Sequence, residues 1–335
     1  MQWKVRWIVL LLAFNSADSC AWNAIGHQVI GGIADRLIEG TPAQQHVRDI
    51  LRAESLSTAS VWADCAKGVD EQGSFRYVSS DRFPECQPFD TPEGREQMVD
   101  YVMRNDGRCT VLPGQETCHR QYHYADLDSS MSVYRPGVEG SSDHDIVSGI
   151  KAAVAVLAGR QAPDPFYIPS KVVALRLLVH WVGDLHQPLH VAAVHIDSAG
   201  QIVSAQEFLA ESETRGGNLI RHDGRSLHAE WDEAPEGVVQ PLFFQEAARA
   251  ARSNSLIPGP VESWPEIWAS ESARNSLRVF DGMQFMARSC TANNRCVWEA
   301  HTPESYAERR VNLQHDAMIE AGVRLSQLLS ALWPR

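Results

Sequence analysis

From residue 22 onward, apolar side chains recur mainly every three or four positions, the spacing that lines one face of a helix. This periodicity predicts helices over 24–39, 42–53, 58–70, 145–159, 170–187, 238–252, 261–274 and 304–332. Several open on Ser, Thr or Pro, as helix starts do. Alternating apolar and polar positions are scarce. A single hairpin is expected at Asp223-Gly224, between Asn218-Leu219-Ile220 and Ser226-Leu227-His228. The expected fold class is therefore all-α, one mainly helical domain over 22–335 with one small β-hairpin. Two stretches break the pattern. Residues 73–119 hold Pro84, Pro88, Pro92 and Pro113, and read as an irregular insert with one helix near 92–104. Residues 191–217 read as a long loop, a length that usually serves a function in a compact domain.

The first 21 residues follow a different pattern. Lys4 and Arg6 precede a short apolar run, Trp7 to Phe14, and Ser19 and Ala21 supply the small residues of a cleavage site. This is the layout of an export signal, and the run is too short to span a bilayer. The rival, a lipoprotein acylated at Cys20, needs a better lipobox than Ala17-Asp18-Ser19. Cleavage after Ala21 leaves six of the seven cysteines: Cys65, Cys86, Cys109, Cys118, Cys290 and Cys296. An even number in an exported chain favours three disulfides. Cys290–Cys296 is the easiest local pair, and the pairing of the other four stays open. Three of those four lie in or at the edge of the insert, which is thus expected to be disulfide-stapled. The destination is the periplasm or the medium, with no membrane span and a monomer as the simplest state.

The formal net charge is −12 at pH 7. So acidic a chain cannot hold nucleic acid by broad phosphate neutralisation, as a basic groove does. Any phosphate chemistry must rest on local cations.

Residues 180–190 read HWVGDLHQPLH. On a helix His180 and Asp184 lie one turn apart on the same face. Pro188 then ends or bends the helix and lets His190 reach another centre. His228 and Asp232 repeat the spacing, and among the 13 histidines only His180 and His228 carry a carboxylate four residues on. Imidazole plus carboxylate suits zinc, and fewer than four protein ligands leave a place for water. One such pair alone is more often a surface ion pair or a core histidine; the two pairs together with His190 favour a metal. The N-terminus left by cleavage adds to this. The α-amine of Trp22 has a pKa near 8, and with its own carbonyl it can chelate an ion, His27 supplying a further donor. The plainer reading of Trp22 is a core anchor.

These residues stand in an ordered set that resembles the zinc-dependent single-strand nucleases of the S1/P1 type, distant relatives of the zinc phospholipases C. The set comprises WNAIGH (22–27), WAD (62–64), HYAD (123–126), GDLHQPLH (183–190), GGN (216–218), LHAEWD (227–232), WASES (268–272) and AGVRL (321–325). The resemblance implies three Zn2+ per chain. Asp64, His123, His180 and Asp184 would hold one, and Trp22, His27 and a bridging Asp184 a second. His190, His228 and Asp232 would hold the third. It further implies that Lys67 contacts the phosphate, that Asp126 orients the water and the base, that Tyr124 stacks on the base, and that Asn218 lies with the substrate. For Tyr124 ordinary core packing is an equal reading. His186 reads as a supporting or core histidine, and His46, His119, His144, His195, His222, His301 and His315 as surface or structural ones.

The implied activity is endonucleolytic cleavage of single-stranded DNA and RNA to 5′-phosphate products, with removal of 3′-phosphate from nucleotides. No serine or cysteine stands in a nucleophile motif. The long insert between Asp64 and His123 departs from the family pattern and reads as a cleft-rim element or a lid. A zinc phospholipase C is the nearest alternative, opposed by Asp232 where the lipases carry Glu and by GGN. An exported zinc binder without turnover is the other. The exported protein is expected to begin at Trp22 and to carry about three zinc ions. Intact mass and elemental analysis check both; a chain that keeps residues 1–21 and binds the same zinc contradicts the terminal chelate.

Overall fold

The segment 171–186 is apolar nearly all round, and a helix of that kind must be enclosed by others. It forms helix α8 (Lys171–His186), opened by the Ser170 hydroxyl accepting from Val173 N–H, with 13 of its 16 residues buried. The computed structural model describes residues 22–71, 73–79, 82–111, 115–205, 213–290 and 296–334, without the side chains of 287 and 288. The export signal expected over 1–21 lies outside them.

Eleven further helices occur among the described residues: α1 (Ala24–Leu37), α2 (Pro42–Leu51), α3 (Leu56–Ala59), α4 (Trp62–Ala66), α5 (Pro92–Asn105), α6 (Cys118–Gln121), α7 (Ile146–Leu157), α9 (Leu227–Trp231), α10 (Pro241–Ser253), α11 (Trp264–Phe280) and α12 (Tyr306–Leu332). α1, α2, α3, α4, α7, α11 and α12 pack directly on α8. The largest apolar cluster runs through this contact zone and includes Trp62, Trp181 and Trp268. The fold is mainly helical, as the periodicity predicts, and no helix among the described residues is long and apolar enough to cross a membrane.

One expected helix, 58–70, is divided. The Ser60 carbonyl, which an unbroken helix would bond to the Asp64 amide, instead accepts from His180 Nδ1 at 2.6 Å. The chain turns there, α4 starts afresh, and Val69–Asp70 pairs antiparallel with Arg76–Tyr77. The expected hairpin is present as Ile220–His222 and Arg225–Ser226, with Asp223 at φ 47° and Gly224 at φ 81° in the two-residue turn that right-handed strand twist favours. A second hairpin, Gln284–Cys290 with Cys296–His301, was not marked by the sequence pattern. It lies parallel beside Ile220–His222 and completes a four-stranded sheet. The expected loop 191–217 contains short ladders at Ala192–Ala193, His195–Ile196 and Ile202–Val203; its part over 206–212 lies outside the described residues.

Three disulfides close: Cys65–Cys86, Cys109–Cys118 and Cys290–Cys296. The insert is not a loose flap. Its helix α5 buries Met98, Tyr101 and Val102 in the main apolar cluster, and Tyr101 leans on Trp62 with ring centroids 5.4 Å apart. Arg176 of α8 ties the same region down, bonding Glu54 and Gln97.

The close approach of α1 to α3 turns on Gly31, where a Cβ would stand 2.5 Å from the Leu56 carbonyl oxygen. Ala at a helix interior normally gains about 1 kcal/mol over Gly. Here overpacking against backbone is expected to outweigh that gain, so Gly31→Ala should lower stability by roughly 1–3 kcal/mol. Denaturant midpoints of the two chains check the sign.

Candidate metal centre

Six separate elements, α4 with Asp64 among them, carry the histidine and aspartate side chains inward. α1 starts at Asn23, whose side chain accepts from Gly26 N–H, and it buries His27. α8 contributes His180 and Asp184. Ser226 caps α9 through Ala229 N–H, setting His228 on that helix and Asp232 at its end. The turn after α6 supplies His123, and a 3-10 turn over Pro188–His190 supplies His190.

These residues meet in three groups: His27 with His180 and Asp184, Asp64 with His123 and His180, and His190 with His228 and Asp232. In each group one donor atom per residue lies within 4.8 Å of the others. Asp184 is the hub. Its Oδ1 lies 3.1 Å from His27 Nε2, while its Oδ2 lies 3.0 Å from His123 Nδ1 and 3.1 Å from His180 Nε2. One carboxylate thus serves two groups, an oxygen to each side. His27 stacks on His180 with ring centroids 3.9 Å apart. A Cβ at residue 183 would come within 2.9 Å of His27 Nδ1, which is why glycine precedes Asp184.

Backbone carbonyls fix the ring orientations. His180 Nδ1 bonds Ser60 O at 2.6 Å, His190 Nδ1 bonds His123 O at 2.9 Å, and His228 Nδ1 bonds Gly216 O at 2.8 Å. A carbonyl only accepts, so each Nδ1 carries a proton and each Nε2 is turned to the cluster. Gly216 can approach closely only without a side chain: its φ is +55° and a Cβ would stand 2.2 Å from the Leu189 carbonyl oxygen.

The electrostatics point the same way. Burial pushes His27 below the usual imidazole range and takes His123 down to about 3, with the Lys67 ammonium adding to the effect on His123. Burial opposes the charged form of His190 too, but Asp184 and Asp232 outweigh it and hold this imidazole up at about 9. Burial would likewise raise Asp184, yet His180 and His123 hold it well below the carboxylate range. Among the described residues no hydrogen bond reaches either ring nitrogen of His27, Asp184 Oδ1 or Asp232 Oδ2, although all are buried. Buried anionic oxygens and imidazole lone pairs facing one another are costly unless a cation lies among them. The donor set of imidazole and carboxylate fits zinc.

The N-terminal segment reaches the same place. Trp22 is fully enclosed, its indole N–H donates to Gly183 O at 3.0 Å, and Asn23 N–H donates to Asp232 O at 2.6 Å. Residue 22 is therefore both a core anchor and a neighbour of the cluster.

Of the remaining sequence-derived residues, Lys67 sets its ammonium 2.7 Å from Asp64 Oδ1. Tyr124 and Asp126 are part-buried; burial and the nearby Glu213 raise the Asp126 carboxyl to about 8. Asn218 turns inward to its own loop, its side-chain amide donating to Arg215 O at 3.0 Å. His186 has both ring nitrogens occupied, by Val182 O and Arg324 Nη1, and is structural. His119 and His195 are buried, so of the two readings offered for them the structural one holds. Sequence reasoning passed over Gln187, which is fully buried and donates to Asp232 Oδ1 at 2.7 Å. Its place between Asp184 and His190 was the available signal. Glu116, Glu213 and Arg215, whose charges act on Asp126 and Tyr124, were also passed over.

A mainly helical frame enclosing three His/Asp groups, two of them joined through Asp184, defines the class: a protein with buried side chains grouped as cation ligands are. The S1/P1 Nuclease family profile matches residues 22–333. The chain is 22% identical over 340 residues to "Endonuclease 2" of Arabidopsis thaliana, covering 97% of this chain and 95% of the relative. It is 22% identical over 355 residues to "Endonuclease 1" of the same plant, covering 97% and 91%. The chain belongs to the S1/P1 nuclease family, and it is a nuclease acting on nucleic acid.

Gly216→Ala is expected to push the Gly216 carbonyl off His228 and weaken cation binding at the His190 group. Loss of such an outer partner typically costs 10–100-fold in metal affinity. Competition with a zinc-sensitive chelator checks this; unchanged affinities would show that the carbonyl does not orient His228.

Proposed function

We propose that this nuclease is a zinc-dependent phosphodiesterase that cuts single-stranded DNA and RNA to 5′-phosphate products and removes 3′-phosphates from nucleotides. The observation that carries the reading is the division of Asp184 between two histidine groups, with a third group beside them. Asp64, His123, His180 and Asp184 would hold one zinc. The amine and carbonyl of Trp22, with His27 and Asp184, would hold a second, and His190, His228 and Asp232 a third. Zinc in such a site supplies Lewis acidity, lowering the pKa of water and offsetting charge on phosphoryl and leaving oxygens.

The protein's own side chains do the rest. The carbonyl-bonded imidazoles keep Nε2 turned to the cluster without rearrangement. Lys67 offers a compact charge beside Asp64, suited to a phosphate oxygen. A carboxyl raised to about 8 keeps its proton at neutral pH, so Asp126 can donate to a base edge as well as accept from one. Tyr124 beside it offers a ring face, and stacking on a ring tolerates every base provided the base is unpaired. Single strands meet that condition and duplexes do not, which accounts for the preference.

Residues 1–21 are an export signal in this reading, and 22–335 one catalytic domain working as a monomer outside the cytoplasm. Three disulfides suit that destination. Before cleavage the nitrogen of Trp22 is a peptide amide and cannot replace an amine, so export would complete the site.

Assay of the zinc-loaded protein should show cleavage of single-stranded DNA and RNA well above duplex, and release of phosphate from 3′-AMP but not 5′-AMP. Chelation should abolish both. Asp184→Asn should lower kcat by more than about 100-fold, beyond the range for losing only an outer partner. Full activity of a chelated protein or of Asp184→Asn would overturn the proposal.

A further inference from the structure

Gln187 stands where α8 ends, at φ −83° and ψ 114°, extended as the residue before a proline must be. It is fully buried. Its backbone N–H donates to Asp184 O at 2.9 Å and its carbonyl accepts from His190 N–H at 3.0 Å. Its side-chain oxygen accepts from Leu189 N–H at 2.6 Å. That bond decides which way the amide faces: the NH2 end is left for Asp232 Oδ1, 2.7 Å away. One oxygen of Asp232 thereby accepts from an amide, and the same oxygen lies 3.6 Å from His190 Nε2. The other, Oδ2, is buried, accepts no hydrogen bond among the described residues, and lies 3.6 Å from His228 Nε2.

We propose that Gln187 is a positioning residue: its amide holds one oxygen of Asp232 so that only the other is offered to the cation of the His190–His228–Asp232 group. The inference rests on the zinc reading given above. Its consequence is a deliberately sparse donor set. Two imidazoles and one carboxylate oxygen leave that ion with positions for substrate oxygens, whereas a carboxylate with both oxygens available could close over them. The same residue also joins the two parts of the centre, since it follows the shared Asp184 on one side and precedes His190 on the other. A shift at the end of α8 therefore reaches both.

The test compares the wild-type chain with Gln187→Met, which keeps the volume and removes both hydrogen-bonding ends, and with Gln187→Asn, which keeps an amide too short to reach. Zinc-depleted proteins are titrated with zinc against a chromogenic chelator, and cobalt(II)-loaded proteins are compared by visible absorption, whose intensity falls as coordination number rises. For both variants the affinity for one ion should change by about 10–100-fold while the other two bind as in the wild type. The absorption of one cobalt ion should change, whatever the melting temperature of the zinc-free chain loses with the two buried hydrogen bonds. A purely structural role would lower that melting temperature and leave the cobalt spectrum as it was. Identical affinities and spectra in a wild type that binds its full set of ions would overturn the inference alone. A wild type that takes up no zinc would overturn the zinc reading instead. Should Gln187→Met fail to fold, Gln187→Asn carries the same decision.

Discussion

The carboxylate of Asp184 is fully enclosed and has three imidazoles round it. Burying an anion is costly unless cations or hydrogen bonds compensate; Asp184 and Asp64 raise His180 against its burial, while burial keeps His27 and His123 from charging readily. The depressed His27 and His123 show the strain of that arrangement. Much of the architecture follows from having to hold it in place. α8 is apolar on nearly every face, so it can be enclosed by seven other helices while presenting His180 and Asp184 to one spot. α1 must then come close enough for His27 to stack on His180, and the glycines at 31 and 183 permit that approach.

Covalent restraint is distributed in the same sense. Cys65 directly follows Asp64 and is bonded to Cys86, and Cys118 opens the short helix that leads into His123 and is bonded to Cys109. Both disulfides thus pin the insert beside turns that carry candidate ligands. The insert's helix reaches the core through Met98, Tyr101 and Val102, so its ordering and the placement of Asp64 and His123 are linked through packing as well as through sulfur. An extension tethered in this way resembles a buttress more than a gate.

What could be read from the sequence was whatever depends on local spacing. His180 with Asp184, and His228 with Asp232, fall one helical turn apart, and two glycines before Asn218 signal a tight turn. Most helices are equally local and appear close to where the periodicity sets them. The rest needed the third dimension. That Ser60, His123 and Gly216 would give their carbonyls to imidazoles is written in no pattern, and the first of these divides a helix that the periodicity ran straight through. The pairing of Cys65 with Cys86 follows from how the insert folds back. The strands 284–290 and 296–301 gain their identity from pairing with each other and with 220–222, not from alternation. No local spacing marks Gln187, because its side chain meets Asp232, 45 positions away.

An acidic nuclease must also reconcile its charge with a polyanionic substrate. At −12 overall, the surface repels nucleic acid at long range, and salt screens that repulsion within about a Debye length of ~10 Å at 0.1 M. Attraction is then confined to the centre itself. There Lys67 is the nearest lysine to the cluster by its contact with Asp64, and any bound cations add their charge at the same spot. Such a field is strong only within a few ångströms, so binding is decided by which strand can bring a phosphate that far in. In the proposed reading a flexible single strand would thread one phosphate to the centre and turn its base onto Tyr124, while a duplex would have to bring two repelled backbones together. The selectivity proposed for this chain is in that sense a consequence of where its positive charge is not, as much as of the residues at the site.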